Sequence, residues 1–343
     1  MLKAVLLFAV GLVFLIKGGD WFVDGSVGIA RRFHLPELLI GATVVSIGTT
    51  LPEVMVSATS AVTGHGEIAY GNAIGSIICN TALIAAITLV AKPGVVDRKT
   101  LRVPVAFFFV SAILYAGNAY FVQYFHRWFG FLMLAIFLTY MVVNVVSMKK
   151  QPAAGISSGD SSAVKAEGAA LAEAAEPGAA EEAEKEEPLW LDLVKLVAGA
   201  ALIAVGADLL VDNGTLIAAA LGVPESVIAL TFVALGTSLP ELVTASTSLV
   251  KGHGSLSLGN VIGANVFNLV LVSGVSVAIS PFALPETAQF LGRNASLVLE
   301  IPVMFAVMLI LTVPALIRQK LSRVQGILLL AIYAAFCVIQ FTL

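Results

Sequence analysis

Gly41-Ala42-Thr43-Val44-Val45-Ser46-Ile47-Gly48-Thr49-Thr50-Leu51-Pro52-Glu53 has the apolar content of a membrane-spanning helix, yet it carries Gly, Thr, Pro and Glu near its middle. The pattern returns as Ala229-Leu230-Thr231-Phe232-Val233-Ala234-Leu235-Gly236-Thr237-Ser238-Leu239-Pro240-Glu241, 188 residues later. At the same offset Pro36-Glu37 returns as Pro224-Glu225, Gly64-His65-Gly66 as Gly252-His253-Gly254, Gly71-Asn72 as Gly259-Asn260, and Asn80 as Asn268. Nearly half of the positions from 36 to 80 equal their partners. The chain is therefore a duplicated unit with one acidic, helix-disturbing stretch in each copy.

Proline has no N–H, so the carbonyls of Gly48 and Gly236 lose their helical donors. The helix is expected to open around Gly48–Leu51 and to free oxygens such as that of Thr49. In lipid, freed backbone oxygens survive only where they line a cavity or meet a ligand. A carboxylate beside such oxygens is a hard-oxygen site for a cation.

The composition supports that setting. The chain is 59% hydrophobic, with 12% charged residues and a mean hydropathy of +0.98. These values exclude an ordinary soluble domain and fit a polytopic membrane protein. No cleavable leader is evident, because the first apolar run continues as a spanning helix. The two cysteines, Cys79 and Cys337, lie in apolar segments and are expected to be free thiols. No HExxH, CxxC, P-loop or GxSxG motif occurs, and no nucleophile–base pair suggests an enzyme. No cofactor and no nucleic-acid partner are expected; the partners are ions and membrane lipid.

With about 20 residues per span, ten helices are expected, at 3–29, 37–63, 68–91, 102–119, 128–148, 190–218, 225–250, 256–279, 296–317 and 325–342. The first repeat occupies 1–150 and the second 189–343, joined by a linker at 151–188 rich in Ala, Glu, Gly and Ser. The linker has too few large apolar residues for a core and reads as a solvated tether. Five helices per copy is an odd number, so the copies enter the membrane in opposite directions. The expected fold is all-α: two inverted-topology five-helix repeats with broken helices, and both Glu residues, at the midplane. With both termini outside, the inner loops hold twelve Lys and Arg, including Arg31, Arg32, Lys92, Arg98, Lys251 and Arg318; the outer segments hold only Lys3, Arg127 and Arg293. That bias puts the linker in the cytoplasm.

Intramembrane acids are costly and mark ion paths. Glu53 and Glu241 together carry two negative charges, enough to balance one divalent or two monovalent cations. An empty site of two like charges favours occupancy or protonation, which is a physical root of exchange. Asn80 and Asn268 offer neutral carbonyl oxygens, and Ser76 lies four residues before Asn80 on the same helical face. Asn72 and Asn260 are expected to bond backbone at the helix start. Asp20 and Asp24, with mates Asp208 and Asp212, read as interfacial acids, and His65 and His253 as turn residues.

The paired Gly-Thr-Ser/Thr-Leu-Pro-Glu and Gly-Asn-x-Ile-Gly segments resemble the α-repeats of sodium/calcium exchangers, of prokaryotic type, within the cation/calcium antiporter superfamily. The resemblance covers the chain outside the linker. It implies calcium bound by Glu53 and Glu241 with the Thr49 and Thr237 carbonyls. It also implies sodium around the same acids, with the Ser46 and Ala234 carbonyls and Thr50, Ser238 and Ser76. The family commonly carries Asp and Ser where this chain has Asn268 and Ala264. The implied activity is calcium-for-sodium antiport by alternating access in a prokaryotic inner membrane, with a monomer sufficient for transport. A proton-coupled or other divalent/monovalent antiporter is the alternative, and a passive cation channel a more distant one.

Overall fold

Gly11, Gly18 and Gly25 lie seven residues apart on α1 (Leu2–Arg32), and each meets the backbone of α6 (Leu189–Ala220). A Cβ on Gly11 would stand 2.9 Å from the Gly206 carbonyl oxygen, one on Gly18 2.9 Å from that of Gly199, and one on Gly25 2.5 Å from that of Asp192. The contacted numbers fall along α6 as they rise along α1, so the two helices run antiparallel. Gly11 is the repeat mate of Gly199, and Gly18 of Gly206. The first helices of the two copies therefore lie against each other head to tail, as inverted repeats require. Apolar side chains gain little by leaving lipid for one another, so close backbone approach through small residues drives such packing.

A computed structural model describes residues 1–150, 188–221, 236–286 and 289–342. The remaining helices are α2 (Glu37–Val62), α3 (Ile68–Ala91), α4 (Arg98–Val122), α5 (Arg127–Ser147), α7 (Leu239–Val250), α8 (Gly254–Ile279), α9 (Ser296–Arg318) and α10 (Arg323–Gln340). Among the described residues nine helices are long and apolar enough to cross a membrane, and α7 is the described end of the span expected at 225–250. The linker expected at 151–188 lies outside the described residues up to Pro188.

The loops alternate between two faces. The ribbon Tyr124–Phe125, after α4, pairs antiparallel with Phe282–Ala283, after α8. The loop after α3 meets the loop after α9 through the Val95–Lys320 bridge. The main core joins α3, α4, α5, α8 and α9 around Tyr70, Phe108, Tyr115, Phe125 and Phe267. A second core of Phe22, Val23, Ile40, Val45 and Ile203 sits between α1, α2 and α6.

The expected opening of α2 at Gly48–Leu51 is not found. Ser46–Val62 is continuous α-helix with Pro52 inside it, and the irregularity lies upstream, where Gly41–Val45 is a π-helical turn. Proline removes one bond from the ladder, and a neighbouring helix together with a local widening can absorb that loss. In the second copy Thr237 and Ser238 form a turn, and Pro240 and Glu241 open α7, as expected of a broken helix.

Gly18→Leu is expected to destabilise the folded protein by about 1–3 kcal/mol through overpacking against α6. Gly117→Ala, where a Cβ meets nothing within 4 Å, should lose no stability and gain up to about 1 kcal/mol. Thermal unfolding in detergent compares the two; equal midpoints for Gly18→Leu and wild type would deny the close helix approach.

Candidate ion-binding site

Two repeat-matched distortions shape the site. α3 widens into a π-helix over Asn80–Ala85, and α8 does so over Asn268–Val272, each beginning at the duplicated Asn. Such turns recur at functional positions because they displace side chains from the regular helical face. The segment of α2 that carries Glu53 packs on the π-turn that begins at Asn268, and α7 with Glu241 packs on the one that begins at Asn80. Each Glu helix therefore packs on the π-turn of the other copy.

Glu53 and Glu241 are fully buried and close enough to interact electrostatically. Among the described residues, neither Glu53 oxygen has a hydrogen-bond partner, and Glu241 accepts only from Thr50 Oγ1, at 3.4 Å on Oε1. Asn80 and Asn268 are also fully buried, with both side-chain polar atoms unpartnered, and Ser238 Oγ is buried and unpartnered. The free oxygens are two on Glu53 and one each on Glu241, Asn80, Asn268 and Ser238. A buried polar group left unpaired costs about 1–3 kcal/mol, and more when it is charged. Against a total stability of about 5–15 kcal/mol, six such oxygens are sustainable only if something else meets them. Calcium takes 6–8 oxygen ligands, carboxylate and amide carbonyl among them, so the donor set fits a hard cation.

The other expected residues take supporting places. Thr49 Oγ1 donates to Asn260 Oδ1 at 3.1 Å, and its repeat mate Thr237 reaches Asn72 Oδ1 at 3.5 Å. Ser46 Oγ donates to the Gly41 and Asn260 carbonyls at 2.7 and 3.0 Å. Ser76 is buried on α3. Ala234 lies outside the described residues. A small cavity adjoins Thr49, lined by Phe22, Gly48, Pro52, Ile203 and Pro240 among others. Another acid in a spanning helix, Glu300 on α9, accepts from Gln340 Nε2 at 3.0 Å and does not belong to the unpartnered set.

The repeat-wide pattern has a match among known proteins. A profile of the sodium/calcium exchanger protein family fits residues 3–146 and 191–342, nearly everything outside the linker. The chain belongs to the sodium/calcium exchanger family. Sodium/calcium exchanger MaX1 of Methanosarcina acetivorans is 31% identical over 98% of both chains. Inner membrane protein YrbG of Escherichia coli is 32% identical over 90% of this chain and 89% of its own. The sodium-calcium exchanger NCX_Mj, solved after soaking with sodium and strontium, superposes with a TM-score of 0.75 at 31% identity, covering 97% of each chain. Membership makes this all-α membrane protein a transporter rather than an enzyme.

In this exchanger-family chain Asn72 and Asn260 do more than bond backbone at their own helix start. Asn72 Nδ2 donates to the Glu53 carbonyl at 3.2 Å and to Ser57 Oγ at 2.8 Å, while Asn260 receives Ser46 and Thr49. They fasten the Glu helix of one copy to the third helix of the same or the other copy. The signal available beforehand was their repetition at the same offset as the acids. Asn260→Leu would take away the side-chain acceptor of the buried Thr49 hydroxyl, at about 1–3 kcal/mol, while Ser46 keeps its backbone acceptors. It is expected to weaken equilibrium binding of radioactive calcium to purified protein about tenfold, and binding at wild-type strength would remove Asn260 from the support.

Proposed function

We propose that this chain exchanges calcium for sodium across the membrane by alternating access at a site centred on Glu53 and Glu241. The six unpartnered oxygens around two fully buried carboxylates carry this reading. Two ionised acids balance one calcium or two sodium ions, so either load leaves the site neutral. An unbalanced charge in this low-dielectric setting costs several kcal/mol. Exchange follows from that cost: the site crosses loaded with one species or the other. Asn80, Asn268 and Ser238 supply neutral oxygens to both loads, with Thr50 and Ser76 beside them, while Ser46, Thr49 and Thr237 hold the helices in register. The backbone carbonyls of Thr49, Thr237, Ser46 and Ala234 complete the ligand set that the family implies.

Two properties of the chain's setting belong to the same proposal. The Lys and Arg bias places both termini outside and the 151–188 linker in the cytoplasm of a prokaryotic cell whose inner membrane holds the protein. Each chain contains a whole site, so a monomer suffices.

Glu53→Gln and Glu241→Gln should each abolish sodium-driven calcium uptake in proteoliposomes while the protein remains folded and inserted. Near-normal uptake in either variant, at matched protein level, would remove that acid from the site. Among the described residues no group of three or more acidic, His or Cys side chains gathers to hold a metal. Exchange is therefore expected to proceed without potassium, because no third carboxylate balances an added monovalent charge. Asn268→Asp is the direct probe, with calcium flux compared with and without potassium across pH. A potassium requirement in the wild type would overturn the charge count.

A further inference from the structure

The short turns that follow α2 and α7 are repeat mates, Thr63-Gly64-His65-Gly66 and Lys251-Gly252-His253-Gly254, and they behave differently. Lys251 Nζ lies 2.7 Å from Asp24 Oδ1, 3.3 Å from Asp20 Oδ1 and 3.2 Å from the Asp20 carbonyl oxygen, all on α1. His253 Nδ1 lies 2.8 Å from Glu37 Oε1, at the start of α2. One four-residue turn thus grips the ends of two helices of the other copy. At the corresponding place in the first copy, Thr63 occupies the position of the lysine, and His65 Nδ1 is met at 3.1 Å by Thr63 Oγ1 of its own turn. Among the described residues Asp208 and Asp212, mates of Asp20 and Asp24, meet no cation. The difference is written in the sequence, with Lys251 on one turn and Thr63 on its mate.

We propose that the Lys251–His253 turn is a one-sided latch, holding α1 and α2 so that the ion site is closed toward the membrane face on which the turn lies. The positions of the gripped residues give the latch its leverage. Asp20 and Asp24 bracket Phe22, a wall of the cavity beside Thr49, and Phe22 covers Gly48 so closely that a Cβ there would stand 3.0 Å from its ring. Gly19, next to Asp20, packs against Thr247 and Val243 of α7. Fixing this part of α1 fixes the wall of the site. Glu37 starts the helix that carries Glu53, so the His253 contact restrains the acid's own helix. The three acids and Lys251 keep part of their surface exposed, which keeps the contact weak enough to break in each cycle. Closing one face more firmly than the other sets which side finds the site ready, because apparent affinity scales with the fraction in the competent state. Lys251 is a positioning residue here and touches no ion.

This inference rests on the exchange reading, and its test separates the two. Full-length protein is reconstituted, sidedness is assigned by impermeant labelling, and half-saturating calcium is measured on each face. Lys251→Thr, which installs the residue of the repeat mate, should lower half-saturating calcium on the Lys251 face relative to the other by about two- to fivefold. Thr63→Lys should raise it on the opposite face, the double exchange should reverse the asymmetry, and Lys251→Arg should keep the wild-type ratio. A merely structural lysine would lower total flux and leave the ratio alone; that result overturns the latch while sparing exchange. Backbone hydrogen exchange on purified protein gives a readout that needs no transport. Amides of residues 251–254 and of the end of α1 should exchange faster in Lys251→Thr than in Lys251→Arg, and equal rates overturn the latch even in a protein that carries no calcium.

Discussion

Two carboxylates buried without protein partners set the terms for the rest of this molecule. Among the described residues Glu53 and Glu241 have no ion-pair partner, and only one of their four oxygens accepts even a hydroxyl. In water that would cost nothing. At the centre of a membrane protein it is sustainable only when a cation, or a proton, completes the site. Asn80, Asn268 and Ser238 are buried with unpartnered side-chain oxygens as well, and in the proposed site these neutral oxygens would serve the cation that the acids call for.

That arrangement comes from duplication with inversion. Inversion lets the Glu helix of one copy pack on the π-turn that begins at the Asn of the other, so each half of the proposed site draws on both repeats. It also makes the supporting contacts reciprocal: Thr49 with Asn260, and Thr237 with Asn72. Glycine at Gly11, Gly18 and Gly25 lets α1 and α6 touch backbone to backbone, which joins the two copies with little help from the hydrophobic effect. Gly259 and Gly263 do the same work where α8 meets α2: a Cβ on either would collide with Leu38 or with Ala42 and Ser46.

The fold was legible in the sequence because duplication turns one weak hydropathy pattern into two copies that check each other. The 188-residue offset exposed the acids, the asparagines and the inverted topology together. What the sequence left hidden was contact across the repeats. Asn72 and Asn260 looked like local backbone partners, since nothing in their own segments shows that another helix passes beside them. Pro52 looked like a helix breaker, since the missing N–H is visible in the sequence, but the neighbours that let α2 continue are not. His253 looked like a turn residue, and its partner Glu37 lies 216 positions away. Each shortfall has the same physical origin: spacing along a chain reports helical faces, whereas partners across a duplicated fold are set by packing.

The likeness of the two repeats around the acids makes their structural differences informative. Thr50 reaches Glu241, yet its repeat mate Ser238 does not reach Glu53 and remains unpartnered. A single conformation of an inverted repeat cannot treat both halves alike if one face of the membrane is closed more tightly than the other. In the alternating-access cycle proposed above, the partner state would have these roles exchanged, with Ser238 approaching Glu53 and Thr50 withdrawing from Glu241. The duplicated site residues would make those two states nearly equal in energy, as reversible exchange requires. Residues outside the site then decide the balance, and there the copies diverge in charge, with Lys251 on one turn and Thr63 on the other. If the site leaves the two states of the proposed cycle so evenly matched, a difference of one surface ion pair is large enough to tip them.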